Sequence, residues 1–74
     1  MAKGLNIIGR RLARIRYQRG LSQADLATRL NRLGWEMATR FVIAKIEASS
    51  RGVTDKEIVM LAKALKTSVA DLFS

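Results

Sequence analysis

With neither a cysteine nor a histidine among its 74 residues, this chain has no disulfide and no soft-ligand metal site with which to staple a small fold. Below roughly 70–80 residues such staples usually supplement a limited core. Apolar burial must therefore hold the chain by itself, and a 49% hydrophobic content makes that possible. The order of the apolar residues decides the fold. Ile8, Leu12 and Ile15 recur at helical spacing, as do Leu26, Leu30 and Leu33, then Ile43 and Ile46, then Ile58, Leu61, Ala62 and Leu65. No stretch alternates with the period of a strand, and proline is absent. The expectation is an all-α fold: five short helices on one core, forming a single domain over residues 1–74.

Helix boundaries are written in the capping residues. Asn6 can cap a first helix over about 6–18, and Gly20 stands where a helix takes a left-handed stop. Ser22 with Asp25 gives the S-x-x-D form of a capping box and opens a second helix, about 23–33, that Gly34 ends. Trp35 to Ala38 read as a turn, and Thr39 caps a third helix, about 40–48. Thr54 with Glu57 is a second capping box, opening the fourth helix, and Ser68 caps a last turn or two.

The formal net charge is +8, from fourteen Lys and Arg against six Asp and Glu, which concerns partners more than fold. Its placement is uneven. Lys3, Arg10, Arg11, Arg14, Arg16 and Arg19 precede the first acid, Asp25, whereas bases and acids balance from Asp55 onward. Catalytic chemistry has little to work with. The usual bases and thiolates are missing, and only Asp55 and Glu57 lie close, two residues apart and so not facing each other on a helix. The five glycines are scattered and make no phosphate loop. We expect no enzyme, no cofactor and no metal. No run approaches 18 apolar residues, and the opening MAKGLN lacks a signal peptide's apolar core. The expectation is no membrane partner and a place in the cytoplasm.

From Ser22 to Glu47 the chain reads as capped helix, glycine-containing turn and second capped helix, the plan of a helix-turn-helix unit. At about 100° per residue, Ile43 and Ile46 must point inward, while Phe41 and Lys45 point outward together. Ala44 and Ala48 flank them without bulk, and Arg40 reaches forward from the first turn.

The stretches RIRYQRGLSQADLATRL, FVIAKIE and VTDKEIVMLAKALKTSVADLF resemble the Cro/repressor-type helix-turn-helix family, also called Xre-like or lambda-repressor-like, over about residues 7–73. The most telling pieces are G-L-S-Q-x-x-L-A, I-x-x-I-E and L-A-K-A-L. The resemblance implies a compact five-helix domain that binds double-stranded DNA, usually as a dimer on a pseudo-palindrome. It implies base contacts from Arg40, Phe41 and Lys45 and a phosphate contact from Gln23, helped by the helix N-terminus. Ser22, Thr39 and Arg51 are the further expected phosphate contacts. It also implies a structural ion pair between Arg16 and Glu47 that fixes helix three against helix one. Of the arginines in and just after helix one, Arg10, Arg14 and Arg19 are expected to be the more exposed. Some can flank the DNA backbone, and most are expected to steer DNA without touching it.

Three positions depart from the family pattern. The segment between Ala27 and Ile43 is longer by about one and a half helical turns, similar to an L-G-W-x insert found in part of the family. Phe41 stands where a polar reader is common, and Lys66 stands where glycine is usual. Two readings of Phe41 follow, contact with a thymine methyl or packing under Trp35 as core. Trp35 is expected to plug the longer turn. The functional expectation is a sequence-specific transcriptional regulator acting as a repressor, with any homodimer weak or formed on DNA. The alternative is a protein-interaction module, an antitoxin or adaptor, built on the same fold.

Overall fold

In a computed structural model the described residues are 4–74, and among them the chain forms helices and no strand. Lys3, counted above in the basic opening stretch, lies outside the described residues. The helices are α1 (Gly9–Gln18), α2 (Gln23–Arg32), α3 (Arg40–Glu47), α4 (Asp55–Leu65) and α5 (Val69–Leu72). Every helix after the first begins at a side-chain cap. The Ser22, Thr54 and Ser68 hydroxyls accept from the backbone N–H groups of Asp25, Glu57 and Asp71, and those three acids bond back to the cap N–H groups. Thr39 Oγ1 accepts from Val42 N–H at 3.3 Å. Each cap satisfies a donor that the helix itself leaves unpaired.

α1 starts three residues later than the spacing suggested. Asn6 Oδ1 accepts from both Ile8 and Gly9 N–H, at 3.0 and 2.8 Å, so the cap folds a turn ahead of the helix. The amide's other end donates to Ile46 O at 3.0 Å and Arg51 O at 2.7 Å. One side chain thus joins the start of α1 to the end of α3. Gly9 permits the same approach by having no Cβ, since a Cβ there would lie 2.5 Å from Ile46 O and 2.7 Å from Glu47 O.

The core draws on every helix. Leu12 of α1, Leu26 and Leu30 of α2, Ile43 and Ile46 of α3, Leu61 and Leu65 of α4 and Leu72 of α5 are fully buried, with Ile8 just ahead of α1. A radius of gyration of 11.0 Å matches the roughly 11 Å expected of a folded chain this long. The α2–α3 connection occupies residues 33–39, longer than the four-residue turn read from sequence, because α2 stops at Arg32 and Gly34 turns the backbone at φ +105°. Trp35 packs on the core from this connection, and Asn31 Nδ2 donates to the carbonyls of Trp35 and Ala38, both at 2.9 Å. The corner after α4 takes the shape glycine would give it: Lys66 sits at φ 55°, ψ 46°.

Candidate nucleic-acid interface

α3 is narrow and amphipathic. Ile43 and Ile46 are buried, Val42 is half-buried, and Arg40, Phe41, Lys45 and Ala48 are exposed. On the helix, Phe41 and Lys45 lie about 40° apart, with Arg40 about 100° to the other side of Phe41. Phe41 and Lys45 therefore share one outward face, and Arg40 stands at its edge, about 140° from Lys45. Phe41 is 65% exposed and does not pack under Trp35, so the core reading of that residue gives way. Arg40 Cζ lies 5.0 Å from the centre of the Phe41 ring. Ala44, half-buried, and Ala48 leave the face without bulk beside Lys45.

What sets this face in place is a buried polar knot at the far end of α3. Arg16 Nε donates to Glu47 Oε2 at 2.6 Å, and Arg16 Nη2 donates to Glu47 Oε1 at 3.0 Å. The two side chains are 6% and 9% exposed. Gln23 Nε2 gives Glu47 Oε1 a further bond at 3.0 Å, and Arg16 Nη1 donates to Leu21 O at 2.8 Å. No buried side-chain donor or acceptor among the described residues is left unpaired. Bonding to Glu47 raises the Arg16 pKa above its ordinary value, with burial working against it. Helices α1, α2 and α3 meet at this one carboxylate.

The expected phosphate contacts fall in two sets. Ser22, Gln23 and Thr39 stand at the N-termini of α2 and α3, where unpaired backbone N–H groups and the helix dipole favour an anion. Their side chains are partly engaged: the Ser22 and Thr39 oxygens are caps, and Gln23 donates to Glu47. Asp25, held below its usual pKa by hydrogen bonds from Ser22, adds an ionised carboxylate to the same end of α2. Arg51 belongs to the fold. Its Nη1 and Nη2 donate to Glu57 Oε1 and Oε2, both at 3.1 Å, and its Nη1 also donates to Gly52 O. Its Cζ lies 5.6 Å from the centre of the Trp35 ring. The guanidinium pins the long α2–α3 connection to the start of α4 and has few donors left for a ligand.

The arginines have a second use that sequence reasoning missed. Arg19 Nε donates to Leu65 O at 2.9 Å, and Arg29 Nη1 donates to Ala64 O at 2.9 Å. Arg11 Nε donates to Asp71 O at 3.0 Å. These guanidiniums close the C-terminal carbonyls of α4 and α5, the groups a helix leaves open and where a cation is favoured. Arg19, expected only to steer, also serves as a structural cap. No signal in the sequence marks such bonds, which join residues 35 to 60 positions apart. The side chains of Arg10, Arg14, Arg32, Arg40 and Lys45 make no hydrogen bond or ion pair within the described residues.

No group of acids among the described residues is arranged to hold a metal ion, and no described helix is long and apolar enough to cross a membrane. No family model, curated protein or solved structure was found to match the chain.

Proposed function

We propose that this chain is a sequence-specific, double-stranded DNA-binding regulator of the Cro/repressor type, with α2 and α3 as its helix-turn-helix. The observation that carries the reading is the outward side of α3, where Arg40 and Lys45 flank Phe41 and their side chains make no hydrogen bond or ion pair among the described residues. Eight helical residues span about 12 Å, comparable to the width of the major groove. The N-termini of α2 and α3 offer backbone donors to phosphate on either side. In this reading the protein works in the cytoplasm and represses by occupying an operator, with Arg40 and Lys45 reading bases. A homodimer is weak in solution or forms on the DNA. Arg11, Arg16, Arg19, Arg29 and Arg51 are engaged within the fold. With about four of the other cations neutralising phosphate, log affinity should fall with log salt at a slope near −4.

Two exposed apolar side chains, Met37 at 79% and Phe41 at 65%, support one rival, a protein-docking role. Enrichment of duplexes from a random pool separates the two. A single recurring motif supports the regulator. Absence of retention on any duplex at low salt, together with a partner held by the native chain and lost in Met37→Ser and Phe41→Ser, supports docking.

A further inference from the structure

Arginine lies over an aromatic ring at three places, and one differs from the others. Arg16 Cζ is 4.5 Å from the Tyr17 ring centre, but its nitrogens donate to Glu47 and Leu21. Arg51 over Trp35 donates to Glu57 and Gly52. Arg40 Cζ is 5.0 Å from the Phe41 ring centre, both residues are exposed, and no Arg40 donor is engaged within the described residues. The ring's negative face attracts the guanidinium and restrains a long side chain that solvent would otherwise leave free. Restraint before binding reduces the entropy lost on binding. The ring is 65% exposed, so surface remains for a second contact.

These two groups match two different features of the major groove. A guanidinium bonds the O6 and N7 acceptors of guanine in a fork, and an apolar ring meets the one apolar group there, the thymine methyl. Successive bases on a strand are about 3.4 Å apart along the axis. The 5.0 Å between guanidinium and ring accommodates one base step with sideways offset and falls short of two. Resting on the reading of α3 as a base-reading helix, we infer that Arg40 and Phe41 act as one unit that recognises a T·A pair immediately beside a G·C pair. Phe41 covers the thymine methyl, and Arg40 takes guanine O6 and N7.

The test starts from the duplex that the native chain enriches from a random pool. Its affinity is measured with thymine replaced by deoxyuridine, which lacks the methyl, and separately with guanine replaced by 7-deazaguanine, which lacks N7. Native protein, Phe41→Ala and Arg40→Ala are compared, and unchanged melting of these two exposed-site variants verifies that they fold. The enriched site is expected to hold adjacent T·A and G·C pairs. Deoxyuridine should weaken native binding about 4-fold, the worth of one buried methyl, and leave Phe41→Ala within about 2-fold. 7-Deazaguanine should weaken native binding about 10-fold and leave Arg40→Ala within about 2-fold. An enriched site without that adjacency, or a deoxyuridine loss equal in native and Phe41→Ala proteins, overturns the inference while DNA binding stands. Failure to enrich any duplex overturns the reading of α3 as well.

Discussion

Removing the Glu47 carboxylate should cost this small fold more than any other single polar change. Glu47 accepts bonds from Arg16 Nε and Nη2 and from Gln23 Nε2, and both partners of the ion pair are nearly buried. Glu47→Ala leaves the Arg16 guanidinium in the interior with one carbonyl partner, Leu21 O. Stranding one charge of a buried pair costs about 3–5 kcal/mol. At about 4–8 °C per kcal/mol for a domain of this size, the melting temperature should drop by at least about 12 °C. Glu47→Gln, which keeps an acceptor oxygen, should fall between Ala and native. In Arg16→Met/Glu47→Leu both charges are gone, and apolar replacement of a buried pair is often neutral, so most of the loss should return. Urea denaturation of the four proteins gives the free energies and the coupling between the two sites. A Glu47→Ala protein within about 0.5 kcal/mol of native, the size of an ordinary surface change, would refute the claim that this knot holds α3 against α1 and α2.

Lys66→Gly should stabilise the protein by about 1 kcal/mol, because Lys66 occupies left-handed backbone that costs a residue with a Cβ roughly 1–2 kcal/mol; thermal melting checks the sign. Gly9→Ala should destabilise by about 1–3 kcal/mol, since the added Cβ meets two α3 carbonyls and the backbones must separate, which denaturant midpoints will show. Glu57 should make stability fall in acid. Hydrogen bonding from Arg51 holds its folded pKa below the ordinary carboxylate value, so its contribution is present above about pH 4.3 and is lost as pH falls through the lower folded value. Glu57→Gln should flatten that part of the stability profile measured between neutral pH and pH 2.

Much of this fold was legible because helix signals are local. The boxes at Ser22 and Thr54, the cap at Ser68 and the stop at Gly20 each act within about four residues, and the structure uses all of them. The inward stripe of α3 followed from Ile43 and Ile46 by periodicity, which also turned Phe41 and Lys45 outward, while Arg40 was placed by its position in the first turn. The pairing of Arg16 with Glu47 came from family resemblance, because 31 residues separate them and no spacing rule reaches so far. What stayed hidden was long-range and polar. Asn6 reaches Ile46 and Arg51, and Arg11, Arg19 and Arg29 close helix ends that lie far off in sequence. Arg51 is the instructive miss. Six residues from the Thr54 capping-box glutamate, it could have been read as that acid's partner, and its guanidinium is held there.

The central claim, that the outward face of α3 discriminates among DNA sequences, is tested most directly by titrating native protein, Arg40→Ala, Lys45→Ala and Lys63→Ala against an enriched duplex and a random one at fixed salt. Arg40→Ala and Lys45→Ala should each lose about 10-fold on the enriched duplex and only about 2-fold on the random one, the signature of a lost base contact. Lys63→Ala, an exposed charge on α4, should shift both duplexes equally and little. Equal losses on the two duplexes for Arg40→Ala and Lys45→Ala would contradict the claim and leave α3 with phosphate attraction alone.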